Sequence, residues 1–185
     1  MQVSERLYEE LALREPNAGW ELVCGRLRRK PAMTIEHNDL MRTLLRLLIA
    51  QLDHRLYAVD MNTTKARSSS GTYYIPDLCV IPRSLIQRLR HISLVFEVYA
   101  DPLPLVIEVW SPSTGEYDVE DKLREYQTRG DEEIWRVHPY ERTLTAWRKQ
   151  SDGTYTEAAY AAETGVIVPV TSLPGVQIAL DELFE

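Results

Sequence analysis

Apolar positions along the chain recur with two different periods, and the alternation between them marks out helices and strands. Residues 5–15 place Leu7, Tyr8, Leu11 and Leu13 on a helical stripe. Thr34 is a side chain suited to capping a helix start, and Leu40, Met41, Leu44, Leu47 and Leu48 then hold the helical period to about Asp53. A further helix is predicted from Asp118 to Arg129, ended by Gly130. Trp20–Val23, Cys24-Gly25 and Arg26-Leu27 read as a hairpin with a glycine turn. Leu56–Thr63 alternates weakly, and Tyr73–Ile81 alternates more cleanly up to Pro82. Pro104–Trp110 is the near-continuous apolar run of a buried central strand. Ser84–Arg90 suits a short helical turn, whereas Val95–Tyr99 is ambiguous. Strands at Glu133–Val137, Thr143–Arg148, Thr154–Ala159 and Val166–Val170 follow. Leu173-Pro174-Gly175 then turns the chain into a last short strand and a helical turn at Asp181–Phe184. Helix, strands, helix, more strands predicts an α/β fold with a mixed central sheet flanked by helices. Neither a repeat nor a linker interrupts residues 1–185, so the chain reads as a single domain.

Composition narrows the class. With 185 residues, 44% hydrophobic and 26% charged, the chain can bury a sizeable core. Its start lacks the layout of a signal peptide, and no apolar run spans a bilayer. Cys24 and Cys79 make no disulfide or metal framework, which points to the cytoplasm. The net charge of −7 argues against tight, non-specific binding to DNA phosphates. Basic clusters at Arg26–Lys30, Lys65–Arg67 and Arg83–Arg90 read as solvated faces.

Two carboxylates stand where strands should not want them. Tyr73, Ile75, Asp77 and Cys79 share one side of their predicted strand, as do Val106, Glu108 and Trp110 of theirs. A buried carboxylate costs several kcal/mol, of order 1–5, unless it is paired, protonated or bound to metal. Two of them on neighbouring strands form a hard-oxygen site for Mg²⁺ or Mn²⁺; alternatively, each sits in a salt bridge or at a solvated strand end. Held close together they would repel, so neutralising either is expected to stabilise the metal-free chain.

An ordered series extends this pair. Pro76-Asp77 is followed by Glu108-Val109-Trp110-Ser111-Pro112-Ser113-Thr114, then Asp118, Lys122, Tyr126, Gly130, Glu133 and Trp135. The chain resembles the Uma2 family (also called DUF820), whose members are classed as endonucleases of the PD-(D/E)XK nuclease superfamily. The likeness runs over most of the chain and takes in Glu21 and Gly25, the helix containing His37, and Leu173 through Phe184. It is most specific from Leu105 to Pro139. His138 stands where the family usually has aspartate, and Ile134 where it often has tyrosine.

The resemblance implies a restriction-endonuclease-like fold and roles for individual residues. Asp77 and Glu108 would hold Mg²⁺ or Mn²⁺, with the Val109 carbonyl as a third ligand. The superfamily lysine two residues past the second acid is replaced by Trp110, and Lys122, on the next helix, takes its place. Lys122 borders a predicted inward stripe of Val119, Leu123 and Tyr126, from which it can reach a water or a scissile phosphate. It would otherwise form an exposed pair with Asp118, worth about 0.2–0.5 kcal/mol. Glu36 is a fourth catalytic candidate, or a first-turn acid favouring the helix dipole. His37 reads as a satisfied core or capping histidine. Ser111, Ser113 and Thr114 suit either a phosphate or turn and cap bonds. The implied activity is metal-dependent phosphodiester hydrolysis with nucleic acid, DNA in particular, as substrate, and with no membrane partner. A homodimer is expected, since enzymes that cut both strands commonly pair their sites. A binding protein of the same fold, weak in catalysis, is the alternative.

Overall fold

The computed structural model describes residues 2–90, 96–112 and 115–185, the side chains of 115–119 excepted. The chain opens with helix α1 (Glu5–Arg14) and a hairpin of strands β1 (Trp20–Val23) and β2 (Arg26–Arg29). Cys24 and Gly25 both have positive φ, 48° and 74°, which is the two-residue turn that matches strand twist. Of the stripe expected on α1, Tyr8 is buried and Leu11 half-buried, whereas Leu7 and Leu13 are exposed and Ala12 joins Tyr8 on the inward side.

Helix α2 (Ile35–Gln51) follows, and its predicted stripe from Leu40 to Leu48 is buried. Thr34 caps it, its hydroxyl accepting a bond from the His37 amide at 3.2 Å. Thr34→Ala should lower stability by about 1 kcal/mol; an unchanged urea midpoint would deny the cap that role. Strands β3 (Tyr57–Met61), β4 (Lys65–Arg67), β5 (Tyr73–Tyr74) and β6 (Leu78–Pro82) come next, then α3 (Arg83–Arg90) and β7 (Val98–Tyr99). Central β8 (Leu105–Val109) is buried throughout. After α4 (Gly115–Arg129) run β9 (Glu133–His138), β10 (Thr143–Lys149), β11 (Tyr155–Ala161), β12 (Ile167–Pro169), β13 (Gln177–Ala179) and α5 (Leu180–Leu183).

The strands form a six-stranded sheet in the order β11-β10-β9-β8-β6-β3 and a five-stranded sheet in the order β2-β1-β5-β4-β7. β12 and β13 pair separately. The six-stranded sheet is mixed: β8 and β9 run parallel, and the other pairs are antiparallel. One face carries Leu105, Ile107, Val109, Trp135 and Val137 against α2 and α5. The opposite face carries Cys79, Val106, Ile134 and Trp147 against Tyr126 of α4 and Tyr74 of the second sheet. Helices thus flank a mixed sheet, as the pattern predicts. Among the described residues no helix is long and apolar enough to cross a membrane.

One expected strand divides. Tyr73–Ile81 is not continuous, because the chain leaves the five-stranded sheet after Tyr74 and joins the six-stranded sheet at Leu78. Pro76 sits in the crossing and cannot donate to a ladder. The neighbouring amide of Ile75 donates to the Glu21 carboxylate at 2.8 Å, and the Asp77 carbonyl accepts from Asn62 at 3.1 Å.

Candidate active site

The crossing places Asp77 one residue before β6. Leu78 lies opposite Ile107 and Cys79 opposite Val106, so one further step of that register sets Asp77 beside Glu108. Both carboxylates are buried, with 1% and 8% exposure. The Val109 amide donates to Asp77 Oδ2 at 2.7 Å, which ties the acid to the end of β8.

Two lysines balance these charges. Lys30, just past β2, places Nζ 2.8 Å from Asp77 Oδ1 and donates to the Ile75 carbonyl at 2.7 Å. Lys122 of α4 lies 3.1 and 3.2 Å from the two Glu108 oxygens and 3.5 Å from Glu21 Oε1. Tyr126, one turn further along α4, donates to Glu108 Oε1 at 2.6 Å. Among the described side chains of this helix, Lys122, Tyr126 and Arg129 are buried and Leu123 is half-buried against the core, so Lys122 lies within the inward face instead of bordering it. The expected pairing with Asp118 lies outside the described side chains, as does Val119.

His37 is fully buried, with Nε2 3.0 Å from Asp77 Oδ2. A carboxylate only accepts, so Nε2 carries the proton and His37 orients Asp77 from the core, but the expected satisfaction is only half met, because its buried Nδ1 has no hydrogen-bond partner among the described residues. Glu36, one residue earlier, points elsewhere. It is exposed, and it accepts a bond from Tyr140 at 3.3 Å. The structure therefore brings Asp77, Glu108 and Lys122 together and leaves Glu36 outside that group. Ser111 is buried, while Ser113 and Thr114 lie outside the described residues.

Glu21 and Lys30 were not assigned chemical roles from the sequence. Glu21 is buried in β1; the family likeness took it in and it stood as an acid within an apolar strand, but neither signal gave it a chemical role. Lys30 was hidden in the basic run Arg26–Lys30, of which Arg26, Arg28 and Arg29 are indeed exposed. The other basic clusters hold local ion pairs, Arg67 with Glu5 at 2.7 Å and Arg88 with Asp101 at 2.9 Å.

The electrostatics separate the two central acids. Burial alone would push the Asp77 carboxyl up, but the Lys30 charge, the His37 hydrogen bond and the Lys122 charge hold it well below the carboxylate range. Burial dominates at Glu108; despite Lys122, it and the Asp77 charge push the carboxyl up to about 6.

The donor chemistry fits a hard divalent cation. Two buried carboxylates on adjacent strands are oxygen ligands of the kind Mg²⁺ or Mn²⁺ takes. Among the described residues no set of three or more His, Cys, Asp or Glu side chains is arranged to hold a metal, so such an ion would be held by the two carboxylates, with water or a backbone oxygen completing its shell.

The family model described as "Putative restriction endonuclease", Uma2, matches residues 6–181. The chain belongs to the Uma2 family. This Uma2 protein also shares its fold with a crystal structure of a "putative nuclease belonging to DUF820" from Anabaena variabilis, with a TM-score of 0.73 at 17% identity. That match covers 89% of each chain. No curated protein matches the sequence.

Proposed function

We propose that this Uma2 protein hydrolyses phosphodiester bonds in nucleic acid, DNA in particular, with the help of Mg²⁺ or Mn²⁺. The observation that most supports this reading is the burial of Glu108 between Asp77 and Lys122, where charges gather that a purely structural sheet would avoid. Asp77, Glu108 and the Val109 carbonyl would hold the metal. Once bound, the metal supplies Lewis acidity, acidifying water and offsetting charge that builds on a phosphate.

The chain's own groups do the rest. His37 and the Val109 amide fix the orientation of Asp77. Tyr126 holds one Glu108 oxygen, which restricts the rotation of that carboxylate. Lys122 brings a positive charge and three protons to the same place, where it orients the attacking water and stabilises negative charge on the phosphate. Glu21 steadies Lys122 from the second sheet.

Cleavage of plasmid and oligonucleotide substrates with Mg²⁺ or Mn²⁺, against EDTA and against Glu108→Gln, tests the proposal. Metal-independent or Glu108-independent cleavage would reject it. A second test uses pH. Metal and proton compete for Glu108, whose carboxyl is pushed up to about 6. Mn²⁺ affinity measured by calorimetry should therefore fall as pH drops through that value. An affinity flat between about pH 5 and pH 8 would remove Glu108 from the ligand set.

A further inference from the structure

A cavity of about 710 Å³, within the range of small-ligand sites, opens beside Glu108. Trp110, Arg136, His138, Tyr140, Thr143 and Thr145 contribute to its lining. Its position follows from strand register. Arg136 of β9 is the partner of Glu108, and Thr145 of β10 is the partner of Arg136. Paired residues point to the same side of a sheet, so these side chains continue the Glu108 face outward across two strands.

The lining has the chemistry of a stacking site. The Trp110 and His138 rings are stacked, with centroids 4.3 Å apart and an interplanar angle of 21°. Tyr140 meets Trp110 edge-on at 5.9 Å. The Arg136 guanidinium is held 5.3 Å over the Trp147 ring. Two acids stand at the rim, Glu141 beside His138 and Glu36 on Tyr140. They disfavour a phosphate there and suit the amino edge of a base. Arg136, nearer Glu108, is the group for a phosphate.

We propose that this cavity is a nucleoside subsite in which one unpaired base of the substrate extends the Trp110–His138 stack at its outer face while its phosphate meets Arg136 beside Glu108. The proposal rests on the nuclease reading and adds a substrate class to it: single-stranded or locally opened nucleic acid is preferred to closed duplex. The acidic chain favours this too, because stacking needs no broad basic footprint of the kind a duplex-tracking protein carries. It also gives a use to the aromatic ring that stands where the superfamily signature places lysine.

The test is a titration of the wild-type protein in EDTA with a short single-stranded deoxyoligonucleotide, following indole N–H resonances by NMR. The Trp110 signal is assigned with Trp110→Phe. It should shift, while those of Trp20 and Trp135 stay in place. In the metal-loaded enzyme, Trp110→Ala should raise KM for the single strand roughly five- to hundredfold, and Trp110→Phe should recover most of it. Tyr140→Ala at the exposed rim should act in the same direction without disturbing the fold. A silent Trp110 resonance in an enzyme that cleaves nucleic acid would overturn the subsite and leave the nuclease reading standing. A shifted Trp110 without cleavage in any divalent metal would support the subsite and defeat the nuclease reading. Neither binding nor cleavage would overturn both.

Discussion

Replacing Lys122 with methionine should lower single-turnover cleavage by about 10²–10³-fold at saturating Mn²⁺, the usual cost of losing one preorganised donor to developing negative charge. Methionine keeps much of the buried stem and removes the charge. The ammonium lies 3.1–3.2 Å from both Glu108 oxygens, so its loss acts on the group proposed to hold the metal as well as on the phosphate. Breaking a buried pair typically costs about 3–5 kcal/mol, and rates must therefore be compared well below each variant's melting temperature. Lys122→Arg should recover little activity, because the planar guanidinium does not fit a site shaped for a compact cation. A folded Lys122→Met protein that cleaves within a few-fold of wild type would end the catalytic role. The exposed-pair alternative, with its small stability loss and normal cleavage, is hard to reconcile with 4% exposure and two carboxylate partners.

Asp77→Asn and Glu108→Gln should each weaken Mn²⁺ binding by more than the ~10–100-fold that losing an outer partner of a metal ligand costs. Their effects on the metal-free chain should differ in sign. The Asp77 carboxyl is depressed, so its charge contributes stability that is present above the ordinary aspartate range and is lost only as pH falls through the depressed value. Asp77→Asn also strips Lys30 of its buried counter-ion and should lower Tm in EDTA at neutral pH. The Glu108 carboxyl is raised. Its contribution is complete below the ordinary glutamate range and is lost as pH rises through about 6, so at neutral pH its charge is a cost. Glu108→Gln should leave Tm unchanged or raise it. Stabilisation is therefore expected of Glu108→Gln alone and not of both substitutions, because repulsion between the acids is outweighed at Asp77 by its cations. Equal losses of Tm in the two variants would refute this division.

Much of the fold was legible because burial writes a period into the sequence. The stripe from Leu40 to Leu48 and the apolar run of β8 each answer to one environment, and both elements appear where expected. The break at Ile75-Pro76-Asp77 was not legible, since alternation continues across the crossing while the strand partners change. Within the site, Asp77 and Glu108 stood out as acids in apolar strands. Glu21 had the same kind of signal but only four strand residues to show it. Lys30 looked like its exposed arginine neighbours because charge alone does not tell which side chain reaches inward. The choice between Glu36 and His37 turned on a rotation of about 100° around one helix, finer than a periodicity argument resolves. The cavity over Trp110 depends on pairing between three strands, which no local window contains.

The site draws on a hairpin near the start of the chain, a crossing between two sheets, a central strand and a later helix. Glu21 and Lys122 touch across most of that span. Contacts between such distant positions require a long loop to close before they reward it. During synthesis the acids therefore leave the ribosome well before the ammonium of α4 that completes them. A chain cut short before α4 would carry Asp77, Glu108 and Glu21 without Lys122. Such fragments would lack part of the proposed site, so a chain ending before α4 is expected to be inert in the cleavage assay.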